Sequence, residues 1–457
     1  MRAARALGLD GPVAYTFSAR LVSIAGSTGM VLLIVRFLSP VEQGYYYTLL
    51  SLVALQTVFE MGFSFVIQQL AAHECIHLEF HPDGSVSGDR TAHARLASTL
   101  QLSLRWYTLA AVAMGMILAP LGGVFFAHRA AAGTAQVAWQ GPWLTAVGAA
   151  MAGLWSTPFY SFIEGCGQVR AVAAMRLGQA SATAACAWAP MLLGHGLYAP
   201  AMAIVGQVAA GLIFLATRRR LLTGLLRYPA HHAPIQWSRE VWPFQWRIAV
   251  SWMCSYFTAQ VFVPIVFVLR GAVEAGQIGM SLSITGYMTV LALAWTSTKT
   301  TPFGRMIARR EFPGLDRLFL RTFGQSLAAF ALISIGACGV AAILPVLAPR
   351  LAARIVSPQL FAVLAIAAGA NCAVQSLAIL LRSFKSEPFL VQSLAVAALT
   401  LALAGATAAR WGSGGAAFSY LFATAVFGLP FAWTIFTRAR RGYLTMDTLS
   451  VSGSEAA

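Results

Sequence analysis

Residues 15–37 read YTFSARLVSIAGSTGMVLLIVRF, an apolar run broken only by Arg20 and closed by Arg36, with no Asp or Glu. A helix of that length is about 35 Å long, enough to cross a hydrocarbon core of about 30 Å. Arg2 and Arg5 precede it, as in a secretion signal. The run is too long for one, and no convincing cleavage site follows it. It predicts a first transmembrane helix. The rest of the 457-residue chain is of the same kind: 58% of its residues are hydrophobic and 10% are charged. A soluble surface needs about 25% charged residues. That excludes a soluble enzyme, a disordered scaffold and a DNA-binding protein, and it predicts an all-α polytopic membrane domain.

Eleven further stretches meet the same standard of about 20 mostly apolar residues. With the first, the spans are 15–37, 45–71, 98–120, 142–164, 172–193, 199–217, 247–269, 277–298, 322–345, 359–381, 388–409 and 415–437. The net charge is +16, from 31 Lys+Arg against 15 Asp+Glu. If the N-terminus is cytoplasmic, 23 of the 31 basic residues fall in inner connections and six in outer ones, with Arg20 and Arg105 inside spans. Positive charge collects on the cytoplasmic side of membrane proteins. The split therefore predicts both termini inside and explains the charge without nucleic acid.

Residues 218–246, with Arg218, Arg219, Arg220, His231 and His232, lie near the midpoint and read as a basic cytoplasmic linker. The expected organisation is a six-helix bundle at 1–217, the linker at 218–246, a second bundle at 247–441 and a polar tail at 442–457. Paired halves are a common transporter design. A weak repeat supports them. Arg36-Phe-Leu-Ser-Pro-Val-Glu42-Gln-Gly44 opens the second span, and Arg270-Gly-Ala-Val-Glu274-Ala-Gly276 opens the eighth. Convergent turn chemistry gives similar strings.

At these residues the chain resembles a known family. Arg36 through Thr48 is similar to the first-loop signature of polysaccharide-biosynthesis flippases, the Wzx-like branch of the multidrug/oligosaccharidyl-lipid/polysaccharide exporter superfamily. Phe162-Ile-Glu164-Gly-Cys-Gly-Gln168-Val, Thr298-Lys299-Thr-Thr-Pro302-Phe-Gly and Arg382-Ser-Phe-Lys-Ser-Glu387-Pro388 fit the same pattern. The resemblance implies two pseudo-symmetric six-helix bundles forming a V around a central cavity. It implies alternating-access flipping of a lipid-linked oligosaccharide, of the undecaprenyl-pyrophosphate type, across the bacterial inner membrane. The product would be a surface polysaccharide such as the O-antigen of lipopolysaccharide. A polysaccharide polymerase and glycosyltransferases would be partners. A cation-coupled drug or metabolite antiporter of the same fold is the alternative. The drug-efflux branch often has a carboxylate in its first helix, and residues 15–37 have none.

Ionisable groups inside a membrane are costly and therefore candidates for function. Glu60 lies mid-span, with Gln56 four residues earlier on the same helical face. The pair reads as a proton site or sugar hydrogen-bonder, with Glu60 the candidate for coupling to a proton or sodium gradient, or Glu60 pairs structurally with Arg20 or Arg105. Those two arginines either face a cavity and grip oxyanions or snorkel to headgroups. Arg247 and Lys299 flank spans near the cytoplasmic mouth, as substrate capture or topology anchors. Gln260 precedes Pro264, which can kink the helix. Trp252 and Tyr256 could stack on sugars. For Tyr45, Tyr46 and Tyr47 an interfacial aromatic belt is the commoner explanation.

His73-Glu74-x-x-His77 has metalloprotease spacing, but no third ligand is evident. A polar loop helix is expected there, through Glu79, His81 and Asp83. No phosphate-binding Gly-Lys-Ser/Thr loop is present. The six cysteines form no CxxC pair and read as small buried hydrophobes. No enzyme activity, cofactor, metal or nucleic acid is expected. The partners are the bilayer and the lipid-linked glycan.

Overall fold

A computed structural model describes residues 11–81, 85–130, 137–229, 235–384 and 387–455. Arg2, Arg5, Asp83, His231, His232 and Lys385 lie outside the described residues. Each predicted span falls on a helix or a broken helix. Seven helices are long and apolar enough to cross a membrane among the described residues, and two bent pairs bring the number to nine. Helices Gln140–Gly165 and Val169–Leu192 are long enough to span but carry more polar and small residues. The last apolar stretch, Leu390–Tyr443, holds two of the predicted spans, divided by non-helical backbone at Gly412.

The chain divides into two compact units, Met1–Trp252 and Met253–Ala457. In the first, α1 (Gly11–Phe37) packs on α7 (Val169–Leu192), where the Trp188 indole N–H donates to Gly26 O at 3.2 Å. Between them in sequence come α2 (Pro40–Val53), α3 (Gln56–Glu60), α4 (Phe63–Glu74), α5 (Arg90–Ala130) and α6 (Gln140–Gly165). α8 (Ala199–Thr217) packs on α6 and α7, and α9 (Arg219–Arg227) follows it immediately.

The described part of the segment expected as a linker makes hydrogen bonds and an ion pair with this unit. Gln101 Nε2–H donates to the carbonyls of Leu225, Leu226 and Tyr228 at 3.0–3.3 Å. Arg95 bridges Glu74 and Glu240, at 2.8 and 2.6 Å.

Two local readings change. Tyr45, Tyr46 and Tyr47 are buried in the unit, with Tyr45 stacked on Phe126 at 5.4 Å, so they are core rather than a lipid-facing belt. After Glu74 the chain makes a single 3-10 turn and then an antiparallel pair, β1 (Leu78–Phe80) with β2 (Val86–Gly88), where a loop helix was expected. Glu74 pairs with Arg95 at 2.8 Å and lies 3.7 Å from His73 Nδ1. No group of three metal donors occurs among the described residues.

α10 (Trp242–Ala259) carries the chain into the second unit. There follow α11 (Phe262–Arg270), α12 (Ala272–Ser297), α13 (Thr300–Ala308), α14 (Phe312–Leu347), α15 (Pro358–Arg382), α16 (Leu390–Leu421) and α17 (Leu429–Glu455). Phe303, Phe319, Leu377, Phe389 and Phe436 form one buried cluster. The Arg440 guanidinium grips Asp316 in a two-pronged ion pair, at 2.7 and 2.6 Å, and ties α17 to α14. The Arg270–Glu274 turn clamps the Gly412 break. Arg270 donates to Ala408 O and Arg410 O, and Glu274 accepts from Ser413 N–H at 3.1 Å.

Candidate functional site: a broken helix with a half-buried carboxylate

The second predicted span begins with strong helix-start chemistry. Ser39 caps α2, Glu42 returns the bond to Ser39 N–H at 2.8 Å, and Pro40 fills the first helical position. The helix loosens after Val53, re-forms as α3 and stops at Glu60. Met61 (φ 54°) and Gly62 (φ 63°) are both left-handed, and the axis bends by 41° before α4 continues.

A left-handed methionine costs roughly 1–2 kcal/mol. Contacts from α10 offset this. Gln245 Nε2–H donates to Met61 O at 2.7 Å. A Cβ at Gly62 would meet Ile248 Cγ2 at 2.5 Å and Trp252 Nε1 at 3.2 Å, so only glycine seats there. The bend is therefore held by tertiary contact.

Glu60 is the last residue before the bend and is half-buried. Ser64 Oγ–H, one turn beyond, donates to its Oε1 at 2.6 Å. Glu60 makes no ion pair with Arg20, Arg105 or any other basic residue among the described ones. The Tyr107 hydroxyl from α5 faces Ser64 and Glu60. It is fully buried and makes no hydrogen bond of ordinary geometry. Phe63 lies nearly parallel to Tyr107 at 5.9 Å and edge-on to Trp237 at 4.9 Å, closing one side with aromatic rings. The arrangement sets a carboxyl group, hydrogen-bonded to a hydroxyl, beside a bend in the helix.

The other predicted residues are more dispersed. Gln56 is half-buried on α3 and extends toward Gly153 of α6. Trp252, 37% exposed, borders the bend. Arg20 and Arg105 stand exposed on α1 and α5. Arg247 is exposed, its guanidinium 5.6 Å from the Trp246 ring. Thus the structure gathers Gln56, Glu60 and Trp252 at one bend and leaves the arginines on faces of the unit. Sequence reading missed Ser64, Tyr107 and Gln245. Ser64 was within reach as the residue four beyond Glu60. Tyr107 and Gln245 are distant in sequence and gave no signal.

In the second unit, Gln260 is exposed at the junction of α10 and α11, where the axis bends by 42°. Pro264 has no N–H to offer Gln260 O, which accounts for this bend. Tyr256 is buried, edge-on to Phe257. Lys299 is half-buried in the turn between α12 and α13. Nearby in the fold, Phe262 meets Tyr420 edge-on at 5.3 Å, and Asn371 Nδ2–H reaches Tyr420 Oη at 3.5 Å.

Outside the spans, Glu240 accepts from Gln236 N–H and from Arg95. These bonds hold its carboxyl below the usual carboxylate range. A groove of about 530 Å³ is lined by Ser39, Glu42, Pro142, His195 and Tyr198. Its Glu42 is already committed to the α2 cap.

No family model and no curated protein matches the sequence. Solved structures do match the fold. A MOP superfamily transporter from Pyrococcus furiosus superposes with a TM-score of 0.54 at 13% identity, covering 96% of each chain. The Vibrio cholerae MATE transporter VcmN gives 0.54 at 14% identity, over 95% of this chain and 98% of that one. An inward-facing multidrug resistance MATE family transporter of the MOP superfamily gives 0.57 at 12% identity, over 94% and 99%. The chain has the fold of these MOP superfamily and MATE transporters.

Proposed function

We propose that the chain is a secondary transporter, not an enzyme, driven by proton exchange at Glu60. The observation that carries this is a carboxylate with no basic partner among the described residues, hydrogen-bonded to Ser64 at a bend in a membrane helix. An unpaired acid in a span is expensive unless it works, and broken helices are where transporters place their coupling groups. Alternating access is the mechanism, with twelve spans in two halves at 1–217 and 247–441, the linker 218–246 and cytoplasmic termini.

The cargo we infer is a lipid-linked oligosaccharide on a pyrophosphate carrier, moved across the bacterial inner membrane for surface polysaccharide. Arg20 and Arg105, exposed within spans, suit an anionic headgroup. Gln56, Trp252, Tyr256 and Gln260 would meet the glycan, and Arg247 and Lys299 would receive it at the cytoplasmic mouth. A polymerase and glycosyltransferases would act before and after it. A cation-coupled drug antiporter is the second reading, and the multidrug MATE relatives of this fold favour it. A cationic drug would want acids where this chain offers arginines.

The test is a chromosomal deletion, with the sidedness of lipid-linked oligosaccharides assayed in oriented vesicles. Complete glycans trapped on the cytoplasmic face support the flippase. Normal glycan with lost dye efflux moves the assignment to the antiporter.

A further inference from the structure

α9 is a nine-residue helix separated by one residue, Arg218, from the membrane-length helix α8, which ends at Thr217. Its apolar face, Leu221, Leu222 and Leu225, is buried, and the helix packs on α5. Its C-terminal carbonyls are capped by the Gln101 amide, so its position is fixed. The other face presents Arg219, Arg220 and Arg227, all exposed. Arg218, at the turn, lies 5.9 Å from the Phe214 ring, and its Nε–H is buried without an acceptor.

The sequence supplies no counter-charge, since no Asp or Glu occurs between Glu164 and Glu240. None of these four arginines makes an ion pair among the described residues. The direct junction with α8 keeps the arginines at the level of the lipid headgroups, whichever side they face.

We propose that this face of α9 binds the phosphate headgroups of anionic phospholipids. A topology anchor needs only charge. Here the charge is carried on a docked, capped helix, which gives the headgroups a defined surface. The site is independent of Glu60 and of the cargo.

The test is native mass spectrometry of the full-length protein titrated with phosphatidylglycerol or phosphatidylcholine. Wild type should retain phosphatidylglycerol preferentially. Each basic residue near an anionic surface contributes about 1 kcal/mol, so Arg219→Gln/Arg220→Gln/Arg227→Gln should weaken binding on the order of a hundredfold. The charge-matched control Arg305→Gln/Arg317→Gln/Arg321→Gln, on exposed arginines of the second unit, should weaken it measurably less. Gln101→Leu keeps every charge but frees α9, and should also weaken binding. The proposal is overturned by equal losses in both triples, by no loss in Gln101→Leu, by equal retention of the two lipids, or by displacement with inorganic pyrophosphate at matching phosphate concentration.

Discussion

The two bends have nearly the same angle, 41° after Glu60 and 42° after Ala259, and different causes. In the second unit a proline withholds an N–H, so the ladder is broken by covalent structure and stays broken in any state. At the bend in the first unit no proline is present. Met61 and Gly62 are held left-handed by Gln245 and by the fit of Gly62 against Ile248. That bend lasts only as long as its contacts. It also carries the acid, whereas the second bend carries a neutral, exposed Gln260. On the function proposed above, the conditional bend is the one that would couple a proton to movement, and the proline bend is a fixed corner.

Substitutions can break or sharpen this contrast. Glu60→Gln should cut proton-driven transport by at least about tenfold, about 1.4 kcal/mol, with the protein still folded. Gln260→Ala removes a proposed glycan contact but no titrating group, so it should lower transport only through weaker cargo binding and leave the response to a proton gradient intact. Equal effects of the two would remove the distinction. Gly62→Ala meets both a left-handed backbone and Ile248, and should lower stability by about 2–4 kcal/mol in thermal unfolding of the purified protein. Gln245→Leu removes the bond to Met61 O and should cost about 1–2 kcal/mol by the same measurement.

The smallest effect is at Glu240, outside the spans. Its folded carboxyl titrates below its unfolded value of about 4.3. Its contribution is therefore complete above that pH and is lost as pH falls through the lower folded value. Arg95→Gln should flatten the acid limb of a stability–pH curve below about pH 4, and an unchanged limb would contradict the pairing.

Much of the fold was legible because membrane helices announce themselves by length and apolarity. Each of the twelve stretches lands on a helix or a broken one. Gln56 and Val169 illustrate the limit: short polar or small-residue stretches do not reveal where a helix loosens or how apolar a span must be. Glu60 was legible as a lone acid in an apolar run, and the Gln260 corner through Pro264. The bend at Met61–Gly62 was not, because methionine gives no local signal for left-handed backbone. Its cause lies 184 residues away at Gln245. The Tyr45–Tyr47 triplet misled because aromatic residues suit both an interface belt and a core, and only packing on Phe126 decides between them.

The most direct measurement is lipid-linked oligosaccharide flipping in reconstituted vesicles, with and without an imposed proton gradient, for wild type and Glu60→Gln. The account predicts that the gradient accelerates the wild type and that the variant flips at the same slow rate under both conditions. A gradient response retained in Glu60→Gln would contradict it.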